Sequence, residues 1–113
     1  MESCIFCRIG QGQTETEHLY SDERCFVIRD IEPAAPTHLL IIPHQHITSP
    51  ADGGQEQEAL MGHLFIVARE MASRERVDGS GYRLLINQGQ DAGQGVAHPH
   101  LHLLGGKRLT ALG

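Results

Sequence analysis

The segment His98-Pro99-His100-Leu101-His102-Leu103-Leu104 puts a histidine at every second position three times in succession. Side chains of an extended strand alternate between faces, so the run predicts a strand over residues 98–104. Its three imidazoles share one face, and Leu101 and Leu103 occupy the other. Pro99 adds that the start of this strand is not fully laddered, because proline has no amide hydrogen to donate. Just upstream lies Gly89-Gln90-Asp91-Ala92-Gly93-Gln94-Gly95, a glycine-rich loop. Its Gly93-Gln94-Gly95 portion offers backbone N–H groups unobstructed by β-carbons, the material of an anion-binding nest. It is not a P-loop, since no Gly-Lys-Ser/Thr follows and no helix opens there. Same-face histidines at i and i+2 fit two chemistries: a shared metal, as in zinc hydrolases, or a nucleophile held in its reactive tautomer by its neighbours. The loop favours the second, because phosphate beside a histidine nucleophile points to phosphoryl or nucleotidyl transfer.

The rest of the chain bounds the setting. At 113 residues and 12.4 kDa, with 40% apolar residues, it can bury one two-layer core, so residues 1–113 are expected to form a single domain. Nine Lys and Arg against 14 Asp and Glu leave a net charge of −5 and no basic run, which argues against a nucleic-acid surface. The longest uninterrupted apolar stretches, such as residues 39–43, are far short of the ~20 residues a membrane span needs. The N-terminus shows neither the basic region nor the hydrophobic run of a signal peptide. Cys4, Cys7 and Cys25 are an odd number with one C-x-x-C pair, poor arithmetic for a secreted disulfide scaffold. A reducing, cytoplasmic setting is expected, with the pair serving metal or redox chemistry. Of 8 histidines, six fall within residues 38–46 and 98–102.

Along the chain, Gly10-Gln11-Gly12-Gln13 ends a short initial helix. His18-Leu19-Tyr20 and Cys25-Phe26-Val27-Ile28-Arg29 read as a hairpin joined by Ser21-Asp22-Glu23-Arg24. Residues 30–36, with Pro33 and Pro36, form an extended loop. His38-Leu39-Leu40-Ile41-Ile42 is a nearly continuous apolar strand stopped by Pro43. Residues 49–54 are a loop, and residues 55–77 an amphipathic helix carrying Leu60, Leu64, Val67 and Met71 on one stripe. Residues 82–88 form another strand. The order predicts an α+β fold, mostly antiparallel, with the long helix on one sheet face.

Taken together, the histidine run, Cys4-Ile5-Phe6-Cys7-Arg8-Ile9, Asp30-Ile31 with Pro36-Thr37-His38, Ile42-Pro43 with His46, Leu85-Ile86-Asn87-Gln88-Gly89 and Gly93-Gln94 resemble the histidine triad family in its order. They resemble most the Hint branch of nucleoside phosphoramidase-like proteins, from residue 4 to about residue 106. The resemblance implies protomers with a five-stranded antiparallel sheet joined edge to edge into a homodimer, and a site for a purine nucleoside 5′-monophosphate conjugate. His100 would attack the α-phosphorus and carry the nucleotidyl group until water releases it. His102 would bond a phosphate oxygen, while His98 and His38 would support the triad. Asn87, Gln94 and the amides around Gly93 and Gly95 would hold the phosphate. Asp30 would accept the ribose hydroxyls, and Ile5, Phe6, Ile9, Ile28, Ile31 and Leu40 would wall the base.

The resemblance also implies a structural zinc held by Cys4, Cys7, His46 and His98, a closed Cys₂His₂ set; the alternative is two small buried thiols against the sheet. No organic cofactor is expected. Two departures bear on specificity: Gly95 stands where many relatives carry a phosphate-bonding side chain, and the chain ends without the Trp-Pro tail of closer Hint relatives. His18 and His63 match nothing and read as surface residues. Two other functions stay open: a nucleotide- or partner-binding protein with little turnover, and a zinc hydrolase whose metal sits on His98, His100 and His102 together.

Overall fold

The computed structural model describes residues 3–47 and 54–110. The loop expected over residues 49–54 lies, except for Gly54, outside the described residues. Element order is α1 (Ile5–Gly10), β1 (Tyr20–Ser21), β2 (Cys25–Arg29), β3 (Thr37–Pro43), α2 (Gln55–Arg74), β4 (Tyr82–Leu85) and β5 (Leu101–Gly105), with a 3₁₀ turn at Gln90–Ala92. The five strands form one sheet in the order β1-β2-β3-β5-β4, every ladder antiparallel. The α+β architecture expected from the hydrophobic pattern is therefore the one observed.

β3 is the middle strand and all seven of its residues are buried, which is why residues 39–43 run on without polar alternation, with Thr37 and His38 as buried polar residues at its start. Its two faces serve different layers. Leu39 and Ile41 join Val27, Leu101 and Leu103 under α2, where Leu64, Val67, Ala68 and Met71 close the larger core. On the opposite face Leu40 and Ile42 pack with Phe26, Ile28, Phe6 and Ile9, so α1 covers a second, smaller core. Gly10 ends α1 directly on Phe26, where a β-carbon would come within 2.8 Å of the ring.

Several boundaries differ from the sequence reading for physical reasons. α2 stops at Arg74 rather than near residue 77, because Arg76 turns left-handed (φ 60°) and closes the helix with Arg76 N–H to Ser73 O (3.1 Å) and Val77 N–H to Ala72 O (3.0 Å). β5 begins at Leu101, not His98. Pro99 cannot donate, and the ladder to β3 starts only at the Ile41↔Leu101 pair. β4 consequently ends at Leu85, opposite His102, instead of running on to residue 88. The first hairpin strand lies at Tyr20–Ser21, with Leu19 N–H still reaching Val27 O (2.8 Å). No helix among the described residues is long and apolar enough to cross a membrane.

Candidate functional site

His102 is the only triad histidine within the regular ladder, facing Leu40 of β3. His98 and His100 precede it on the unladdered stretch that Pro99 creates, so the expected row of three imidazoles on one strand face is replaced by three differently anchored rings. Each anchor identifies a tautomer. His98 is fully buried and its Nε2–H donates to Pro43 O (2.8 Å), which leaves the Nδ1 lone pair facing Cys4 Sγ (3.3 Å) and Cys7 Sγ (3.6 Å). His100 Nδ1–H donates to the His98 carbonyl (2.8 Å), which leaves its Nε2 lone pair free. Ala34 N–H donates to His38 Nδ1 (3.0 Å), so the His38 proton sits on Nε2 and points to His102 Nδ1 (2.9 Å), with Asp30 Oδ2 at 3.4 Å. His102 Nε2 then carries its own proton, and it is buried with no partner. An imidazole lone pair and an unpaired imidazole N–H therefore stand side by side, their rings 4.8 Å apart.

His100 and His102 open onto a cavity of about 650 Å³. Its apolar wall contains Ile5, Phe6 and Ile9 of α1, Ile28 of β2, Leu40 of β3, and Ile31 from the loop after β2; Asp30, Asn87, Gly93 and Gly95 supply its polar surface. Phe6 holds His100 from the side, edge to face at 4.9 Å. Ile31 is 91% exposed at the cavity, an arrangement an apolar contact with a ligand would improve. Gln94 is the expected phosphate ligand that does not line this space. Its Oε1 accepts from Gly89 N–H (2.9 Å) and its Nε2 donates to Val96 O (3.1 Å), so its amide braces the loop. Arg29, Glu32 and Val96 also line the cavity and carry no sequence signal of their own. The Ala34 amide was equally silent, since a backbone donor leaves no trace in residue type.

The second cluster lies behind His98. Cys4 Sγ, Cys7 Sγ, His46 Nδ1 and His98 Nδ1 lie within 4.8 Å of one another, and Cys7 Sγ is 3.3 Å from His46 Nδ1. Burial, with Cys4 beside it, raises the Cys7 thiol above its ordinary value. Two soft thiols and two imidazole lone pairs converging on one point suit a tetrahedral cation such as zinc. With His98 turned toward this cluster, the three triad histidines do not form a ligand set among the described residues, which removes the expectation of a metal shared by His98, His100 and His102.

His18 and His63, expected at the surface, are both half-buried and bonded. His18 Nε2–H donates to Ile9 O (2.9 Å) with its ring stacked on Phe26, and His63 Nε2–H donates to Asp22 Oδ2 (2.6 Å). They brace α1 on the sheet and α2 on the β1–β2 turn.

The HIT domain family matches residues 11–109, and the chain belongs to that family. It is 40% identical over 109 residues to an uncharacterized HIT-like protein of Synechococcus elongatus, covering 96% of this chain and 95% of that one. Among solved structures it resembles a HIT family hydrolase from Legionella pneumophila (TM-score 0.91, 42% identity, 96% of each chain). It also resembles a histidine triad protein from Clostridium difficile (TM-score 0.93, 34% identity, 100% of this chain and 98% of that one). A Zn-bound histidine triad family protein from Mycobacterium smegmatis is 32% identical, with TM-score 0.78 over 94% of this chain and 76% of that one.

Burial lowers the His38 pKa, offset in part by Asp30, and burial with the neighbouring His100 and His38 takes His102 down to about 4. An unfolded histidine titrates near 6.5, so below that value the unfolded chain binds protons that the folded one refuses. The stability these rings contribute is complete above pH 6.5 and is lost as the pH falls toward about 4. The melting temperature is expected to fall between about pH 7 and about pH 4.5 more steeply in the wild type than in His102→Gln. Equal slopes in a thermal-melt series would contradict this assignment.

Proposed function

We propose that the protein is a hydrolase or transferase of nucleoside 5′-phosphoramidates or related nucleotidyl conjugates, of the Hint-like kind, working through a covalent nucleotidyl-His100. The observation that carries this reading is the paired tautomer state. The His98 carbonyl accepts a hydrogen bond from His100 Nδ1–H and so leaves Nε2 nucleophilic, while the His38 Nε2–H donated to His102 Nδ1 makes His102 present its own N–H at Nε2. His100 Nε2 attacks the α-phosphorus, the P–N bond breaks, and the leaving amine takes a proton from solvent, which the water of the second step returns. Water then attacks the same phosphorus, releasing the nucleoside monophosphate and restoring the imidazole. His102 N–H donates to the phosphoryl oxygen as charge builds on it. Asn87 and the Gly95 amide, neither hydrogen-bonded among the described residues, face the same space. Asp30 lies where ribose hydroxyls would enter, and the isoleucines and Phe6 offer faces to a purine. The lone pair exposed on His100 Nε2 favours this reading over a binding protein with little turnover.

Zinc fits the donor set behind the triad. Cys4, Cys7, His46 and His98 would hold it, and it would act as a cross-link between α1, the end of β3 and the triad segment, with all four positions closed to substrate. A homodimer joined along β4 also belongs to this reading. β4 is a sheet edge with all four residues half-buried, and α2 exposes Phe65 (46%) and Ile66 (51%) to solvent. Pairing with a second copy would cover both kinds of surface. The three free thiols fit a reducing compartment, and we place the protein in the cytoplasm.

Three measurements test these statements. His100→Ala should lower adenosine 5′-phosphoramidate turnover by several orders of magnitude, against about 10²-fold for His102→Ala, with AMP affinity largely kept. Adduct mapping to another histidine, or a wild-type rate in His100→Ala, would reject the covalent route. Elemental analysis of chelator-free protein should find about one zinc per chain, with metal lost and melting temperature lowered in Cys4→Ser/Cys7→Ser. Metal-free wild type would remove the zinc assignment. Light scattering should return about twice the 12.4 kDa chain mass, falling to the monomer in Phe65→Glu/Ile66→Glu if that face takes part. A wild-type monomer at micromolar concentration would reject the dimer.

A further inference from the structure

Three of the chain's nine Lys and Arg residues converge at a place the triad does not use. Arg76, Lys107 and Arg108 line a cavity of about 610 Å³ with Thr37, Ser80 and Gly81. Thr37 shares the α2-side face of β3 with Leu39 and Ile41, opposite His38, so this cavity and the triad cavity open on different sides of the sheet. Among the described residues, the only carboxylate in its lining, Glu75, is already held by Arg29 through two bonds of 2.7 and 3.0 Å. The side chains of Arg76, Lys107 and Arg108 make no hydrogen bond or ion pair among the described residues. A second, adjoining cavity of about 270 Å³ shares Ser80, Gly81, Lys107 and Arg108, so the last two cations stand at the seam and face both spaces.

The backbone here is shaped at a cost. Arg76 is the only non-glycine residue with positive φ (60°) among the described residues, and it sits at the position after a helix where glycine is usual because it has no β-carbon to clash. The helix C-terminus attracts cations by its partial negative charge, but that attraction asks for no strained residue. Lys107 and Arg108 arrive from a separate part of the chain through two glycines that close packing demands. A β-carbon on Gly105 would lie 3.1 Å from Val77, and one on Gly106, itself at φ 88°, would lie 3.0 Å from Pro36. A strained arginine and a glycine-dependent return of the chain thus bring three unpaired cations onto one cavity in an acidic protein. Residues in such strained conformations cluster at functional sites.

We propose that this cavity is a second anion site, selective for linked phosphoryl groups: free pyrophosphate or polyphosphate, or the polyphosphate end of a nucleotide. Linked phosphates suit it better than a single one, because the cations are distributed along two joined cavities and a lone phosphate cannot face all of them. The site does not depend on the reaction proposed at His100.

Isothermal titration of the full chain with inorganic pyrophosphate tests this, with orthophosphate and AMP as comparisons. Pyrophosphate should bind saturably, more tightly than orthophosphate, and more weakly as ionic strength rises. Arg76→Gly separates the role of the side chain from that of the fold. It relieves the left-handed strain, so it should raise the melting temperature by a few degrees while weakening pyrophosphate binding about tenfold. Lys107→Ala/Arg108→Ala should weaken it further, and AMP affinity at the triad cavity should not change in either variant. Displacement of pyrophosphate by ATP would support the site with a nucleotide as the source, and displacement by tripolyphosphate alone would support it with free polyphosphate. No saturable pyrophosphate binding, undiminished binding in Arg76→Gly, or displacement of pyrophosphate by AMP as effectively as by ATP would overturn the proposal. A lowered melting temperature in Arg76→Gly would overturn its premise that Arg76 is kept against strain.

Discussion

His98 joins three parts of the structure that would otherwise meet only loosely. Its Nε2–H is spent on the carbonyl that ends β3, its Nδ1 faces the thiols of Cys4 and Cys7, and its own carbonyl accepts a hydrogen bond from His100 Nδ1–H. Complete burial keeps the ring neutral, pushing its pKa down, and only a neutral imidazole can donate at one nitrogen and offer a lone pair at the other. The helix that walls the cavity is six residues long, too short to persist by its own hydrogen bonds, and lacks a side-chain cap. It is held by Phe6 and Ile9 against the sheet, and by Cys4 and Cys7 against His98 and His46. The cavity wall and the orientation of His100 thus share one anchor.

Pro99 explains why the anchor is available. A regular strand would commit the backbone of residues 98–100 to the β3 ladder and set the three imidazoles in parallel. By withholding one amide hydrogen, proline leaves this stretch out of the ladder, and the His98 carbonyl is free to accept a side-chain N–H instead. The same interruption ends β4 at Leu85, which sets Asn87 beyond the sheet edge and at the rim of the cavity.

Proton placement runs in a directed chain on the other side of the triad. Ala34 N–H, His38 and His102 each pass the donor role forward, and the last N–H is the one without a partner. Leaving a buried donor unmade costs about 1–3 kcal/mol, which a bound phosphoryl oxygen would recover. That recovery is selective for a hydrogen-bond acceptor over a donor or an apolar group.

Much of this was legible in the residues. Alternation between His98 and Leu104 placed the strand that carries His102, though not its start at Leu101, the nearly continuous apolar run over residues 38–42 placed β3, and the spacing of Leu60, Leu64, Val67 and Met71 showed which side of α2 meets the sheet. Ordered motifs identified the family because residue types at fixed intervals are what sequence records directly. Backbone partners were not legible: the Ala34 amide, the Pro43 and His98 carbonyls, and the left-handed turn at Arg76 belong to no side-chain pattern. Nor could the sequence tell that Gln94 would brace its own loop, or that His18 and His63 would be bonded beneath the surface. Local pattern and composition determined the strands, the helix and the set of chemically capable residues, since those follow from periodicity and residue type. Which nitrogen of each histidine holds its proton, and which ring turns to the thiols rather than the cavity, was decided only when distant segments packed and brought particular carbonyls and amides within 3 Å of each ring.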